Sequence, residues 1–110
     1  MKTSLQLIFS IALLFFGQNL IAQGDKLFFS EYIEGSSNNK ALEIYNGGCT
    51  TVNLSDYQVR LYSNGSGTVS QTLALANVNL AAGGRYVIGH SSAVAGITSV
   101  SNVLNASVMA

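Results

Sequence analysis

The residues able to do chemistry are few and far apart. His90 is the only histidine and Cys49 the only cysteine in 110 residues. A zinc site needs several Cys, His or carboxylate ligands at suitable spacing, and neither residue has such neighbours. His90 therefore reads as a strand-end histidine. Cys49 has no partner for a disulfide within the chain and reads as a small, tolerated loop residue, partly buried. Glu31, Glu34, Glu43 and Asp56 are the acidic set to weigh as a calcium site. Calcium wants several oxygens converging, commonly with acidic residues interleaved in one loop. The loop after Glu34 offers only Ser and Asn, so these read as strand-end and surface carboxylates. No serine stands in a nucleophile-elbow context. Gly83, Gly84 and Gly89 lack phosphate-loop spacing, and no helix follows them. The expectation is a chain without catalytic residues, metal ligands or cofactor.

The elements that carry these residues are legible. In the stretch 27–46, LFFSEYIEGSSNNKALEIYN, two apolar runs flank a polar loop. Side chains alternate faces along a strand. That rule puts Leu27, Phe29, Glu31 and Ile33 on one face, with Phe28, Ser30, Tyr32 and Glu34 on the other. Glu31 is then the odd member of an apolar face. It is expected to pair with Lys40 or to accept backbone donors, since an unpartnered buried carboxylate is costly. Gly35 to Asn39 form the loop. Ala41 to Tyr45 return with Leu42 and Ile44 inward, and Asn46, Gly47 and Gly48 supply positive-φ positions for a reversal.

Further strands follow about every dozen residues, with turn chemistry between them. Val52 and Leu54 point inward, and Ser55, Asp56 and Tyr57 make a corner. Val59 and Leu61 share a face in the run 58–62. Asn64 and Gly65 turn the chain, and Leu73 and Leu75 are in phase. Val78 and Leu80 prolong an apolar edge. Gly83 and Gly84 turn again before the run 85–90. Beyond it, Val94, Ile97, Val100, Val103 and Leu104 show no firm period. The last residues, Val108 to Ala110, have the look of a chain cut before its final strands.

Hydrophobic residues make up 48% and charged residues 9%, which excludes a disordered tail. Residues 1–22 read as a signal peptide: Lys2, an apolar core from Leu5 to Phe16, then a break and Ala22 at the cut. The core is shorter than the ~20 residues of a membrane span. Export removes Lys2 and leaves four basic and five acidic residues, a net charge of −1. Lys26, Lys40, Arg60 and Arg85 are scattered, so nucleic acid is not an expected partner.

Three segments resemble the lamin tail domain of secreted bacterial proteins: LFFSEYIEGSSNNKALEIYN (27–46), VNLSDYQVRLYSNG (52–65) and NLAAGGRYVIGHSS (79–92). The resemblance implies an all-β, immunoglobulin-like sandwich over residues 23–110, with the family's final turn and strand beyond this sequence. It also implies an accessory module, secreted or at the cell surface, that carries no catalytic residues itself. Such a module acts as a spacer or docking surface for a downstream domain of the same protein or another surface protein. One alternative is the accessory domain of a secreted nuclease or phosphoesterase. The other is an adhesion or glycan-binding module. In that case Tyr32, Tyr45 and Tyr62, on faces opposite the core residues, make a stacking platform for sugars.

Overall fold

A computed structural model describes residues 27–110. The export signal expected over residues 1–22 lies outside the described residues. β1 (Leu27–Glu34) and β2 (Lys40–Asn46) form the expected antiparallel hairpin. The turn closes through the Gly35 amide donating to the Asn39 carbonyl at 2.7 Å, with Ser37 at positive φ.

The chain continues through β3 (Val52–Asn53), a 3-10 turn at Leu54–Asp56, and β4 (Gln58–Leu61). A second 3-10 turn at Ser63–Gly65 leads to β5 (Gln71–Ala74), followed by β6 (Asn79–Leu80) and β7 (Arg85–Gly89). A single helical turn, α1 (Ala95–Thr98), then precedes β8 (Val103–Leu104). One sheet has the order β1-β2-β7-β8, with β8 parallel to β7. Two ribbons, β3-β6 and β4-β5, complete the described strands. Together they make the all-β, immunoglobulin-like sandwich expected from the sequence.

The core lies between the large sheet and the ribbons. Ile44, Tyr86 and Ile88 from β2 and β7 meet Leu54, Val59, Leu75 and Leu80 from the facing elements. Alternation explains the selection. Leu42 opposes Ile88 and Ile44 opposes Tyr86, which places all four on one face of the sheet. Leu42 and Leu61 pack on this cluster half-buried. Burying a Leu or Ile side chain is worth ~1.5–3 kcal/mol, so this cluster is the main source of stability.

Three departures from the sequence reading have physical causes. In β1 the register shifts between Phe29 and Glu31. Phe29 opposes Ile44, Glu31 opposes Glu43 and Tyr32 opposes Leu42. The extra residue, Ser30, is a β-bulge and reverses the phase of everything after it. Leu27, Phe29, Tyr32 and Glu34 share the inner face, and Phe28, Glu31 and Ile33 the outer. Strict alternation fails here because a bulge leaves no periodic trace in eight residues. Second, Asn46, Gly47 and Gly48 do not have the positive φ expected of them: Asn46 is the extended last residue of β2 and fully buried, 0% exposed, and its side chain shapes the loop that follows. Third, residues 91–110 are integral. Val108 and Met109 belong to the core, and β8 extends the large sheet.

Candidate functional site

Reactive side chains are dispersed over the described residues. His90 follows β7, as expected, and is 8% exposed. Its Nδ1 accepts the Ser92 amide at 3.0 Å, while its carbonyl accepts the Ala93 amide. The imidazole thus holds the turn that leaves the sheet. Cys49 is exposed rather than partly buried, with a free thiol.

The acidic residues do not converge. The bulge places Glu31 on the exposed outer face opposite Glu43, so the expected pairing with Lys40 is not formed. Its register partner explains this, since Lys40 stands opposite Glu34 at the hairpin end. Glu43 takes the polar contacts instead. It accepts the Ser30 hydroxyl at 2.8 Å and lies 3.5 Å from Arg85 Nε. Among the described residues no three His, Cys, Asp or Glu side chains gather as metal ligands.

The tyrosines do not form a joint platform either. Tyr32 shares the inner face with Leu42, whereas Tyr45 lies on the outer face, opposite Phe28 and Arg85. Phe28 meets the Tyr45 ring edge-on at 5.4 Å, and the Arg85 guanidinium sits 6.0 Å from that ring's centre. Tyr62 is exposed beyond β4.

Asparagines do the structural polar work that the sequence reading missed. Asn46 Nδ2 donates to the Thr50 carbonyl at 2.8 Å and the Leu80 carbonyl at 3.0 Å. Its Oδ1 accepts the Gly48 amide at 3.0 Å. Its backbone exchanges bonds with Gly83 and Gly84. One buried side chain therefore ties the end of β2 to the loop after it and to β6. Gly83 answers at φ +74°, a conformation open to glycine. Asn102 Oδ1 accepts the Val87 amide at 2.7 Å, continuing the β7 ladder ahead of β8. Asn39 Oδ1 takes the Val94 amide at 2.9 Å and anchors the hairpin loop to the following segment. The signal available was placement: Asn at a strand end before Gly-Gly, where a side chain can replace missing ladder bonds.

What remains open is an apolar cleft. It has a volume of about 340 Å³ and runs between the inner face of β1 and β4, with Leu27, Phe29, Ile44 and Val59 among its walls. A second hollow of about 190 Å³ continues it past Phe29 and Val59 to Tyr32, Leu61 and Met109. The walls carry no cluster of polar groups that converge on one point. Such a cleft can bind apolar side chains, with Tyr57 and Gln58 in the first hollow and Tyr32 and Arg60 in the second as the polar side chains along it.

The family model of the lamin tail domain matches residues 21–109. The chain belongs to the lamin tail domain family. The match spans every described strand and extends past the three segments that carry the resemblance, taking in β5, α1 and β8. This lamin tail domain is an immunoglobulin-like module of a non-catalytic kind. No curated protein and no solved structure matches the chain. None of the described helices is long and apolar enough to cross a membrane.

Proposed function

We propose that the chain is a non-catalytic lamin tail module of an exported protein, acting as a spacer or docking surface for a neighbouring domain. The observation that carries this reading is where the polar groups are spent. Among the described residues the buried polar pair, Asn46 and His90, spend their side chains on backbone groups: Asn46 on the loop after β2 and on Leu80 of β6, His90 on the turn after β7. Buried polar groups of a reactive site are instead aimed at a pocket, with geometry left free for substrate. The exposed features are apolar side chains along β1 and the cleft beside it, which suit contact with another surface. Export rests on residues 1–22, whose charged start, apolar core and break at Gly17 to Asn19 follow a signal peptide. The opposed tyrosine faces give the glycan reading no support.

The test is to express the full chain in a secreting bacterium. The expected product lies outside the cytoplasm, and mass spectrometry finds its N-terminus at Gln23. Retention of the intact chain in the cytoplasm, with Met1 in place, overturns the exported reading.

A further inference from the structure

We propose that Asn64 is a self-modifying site: in the folded protein the Gly65 amide nitrogen attacks its side-chain amide, and water converts the product to aspartate and isoaspartate. The chain holds two Asn-Gly pairs, Asn46-Gly47 and Asn64-Gly65. Asparagine is a chemically labile residue. A following glycine favours this reaction, because it has no Cβ to shield its nitrogen or restrain the backbone. The fold treats the two pairs in opposite ways.

Asn64 and Gly65 are exposed in the turn between β4 and β5. Both have positive φ, +53° and +71°, and the Ser66 amide closes the turn on the Ser63 carbonyl at 3.0 Å. Two successive positive φ values are the mark of a tight turn that selects Asn-Gly. No atom lies within 4 Å of the point where a side chain at Gly65 would begin. Among the described residues no hydrogen bond holds the Asn64 side chain. A short 3-10 turn at an exposed tip opens at small cost, which lets the side-chain carbon swing onto the Gly65 nitrogen.

Asn46 is held against the same step. It is 0% exposed and ends β2. Its Nδ2 donates to the Thr50 and Leu80 carbonyls, and its Oδ1 accepts the Gly48 amide. Swinging its Cγ onto the Gly47 nitrogen breaks all three bonds inside the fold, so this pair reacts only through unfolding. Asn53, Asn77 and Asn79 are tied to one another, and each precedes a leucine or valine whose bulk crowds the nitrogen.

The atoms balance with water as the one co-reactant. The bond from the Gly65 nitrogen to Asn64 Cγ forms and the Cγ–Nδ2 bond breaks. Nδ2 leaves as ammonia with the proton of the Gly65 amide, and nothing is oxidised or reduced. The cyclic imide then takes up one water. Opening at Cγ gives aspartate, and opening at the main-chain carbonyl gives isoaspartate, which routes the backbone through the side chain. Either product replaces a neutral amide by a carboxylate. Residues 23–110 then carry four basic and six acidic side chains, a net charge of −2 in place of −1. The attacking nitrogen must lose its proton, so the rate rises with pH.

The test incubates the full chain at mildly alkaline pH, folded in buffer and unfolded in urea, and follows its peptides by mass spectrometry. Arg60 lies between the two pairs, so trypsin places Asn46 and Asn64 in different peptides. In the folded chain Asn64 is expected to convert at least tenfold faster than Asn46, a ratio that ~1.4 kcal/mol of folding stability already provides. In urea the two should convert at comparable rates. The Asn64 peptide should resolve into aspartate and isoaspartate forms, and its conversion should slow several-fold at neutral pH. Asn64→Gln, whose longer side chain closes a ring poorly, should abolish the charge change that ion exchange detects in the folded chain. Asn64 staying intact in the folded chain while it converts in urea overturns the proposal. So do equal folded rates at Asn46 and Asn64, or an undiminished charge change in Asn64→Gln.

Discussion

β1 and β7 are strands of similar apolar content in one sheet, yet they live in different environments. In β7, Tyr86 and Ile88 are buried on the inner face, and both edges of the strand are paired, to β2 and β8. In β1, only Leu27 reaches even partial burial, and among the described residues one edge has no strand beside it. Hydrophobicity is thus spent on stability in the middle of the sheet and left available at its margin. Two consequences follow: substitutions in β7 and at its neighbour Asn46 should threaten folding, and substitutions in β1 should spare it.

The largest effect is expected from Ile88→Ala. Ile88 is fully buried in the core cluster, and such a truncation costs ~2–5 kcal/mol. Urea unfolding should show the midpoint drop sharply, or the fold lost outright, since a small core is marginal. Asn46→Leu comes next. It removes the side-chain bonds to the Thr50 and Leu80 carbonyls and to the Gly48 amide, and losing a buried hydrogen-bond partner costs ~1–3 kcal/mol. Thermal melts should show a loss of about 2–4 kcal/mol, and a stable Asn46→Leu protein would refute the role given to this side chain. Phe29→Ser on the exposed strand should change stability by less than about 1 kcal/mol, because little burial is lost. A collapse there would erase the contrast between the strands.

The contrast also shows what sequence reading captures. The inward positions of β2, β3, β4 and β7 follow from alternation, and Val52, Leu54, Val59 and Ile88 lie where period two puts them. Turns at Asn64, Gly65 and Gly83 follow from residue type, and all three have positive φ. The bulge at Ser30 was illegible, because one inserted residue in a short run has no compositional mark. Asn46 was misread for a different reason. An Asn before two glycines suits a solvent-exposed turn and a buried strand-end bracket equally well, and only the approach of β6 decides between them. The tail from 91 to 110 lacked periodicity because it contributes single anchors, Val103, Val108 and Met109, rather than a long strand.

The smallest expected effect sharpens the picture of β1. Partial desolvation, then the hydrogen bond and the negative charge of Glu34, raise the pKa of Tyr32 above its ordinary 10.0. The folded state therefore favours the neutral phenol. Any stability this adds is fully present below that ordinary value and is lost as pH rises through the raised one. Glu34→Gln should lower the Tyr32 titration midpoint toward that of an unperturbed tyrosine, read by NMR. No change would place Glu34 away from the hydroxyl.

Hydrogen exchange on the full chain, resolved to single amides, tests the central contrast most directly. The slowest amides should fall in residues 40–46 and 85–89, where β2 and β7 pair, with β1 amides on the outer edge exchanging far sooner at low protein concentration. Uniformly rapid exchange through both β2 and β7, or protection greatest in β1 under dilute conditions, would contradict it.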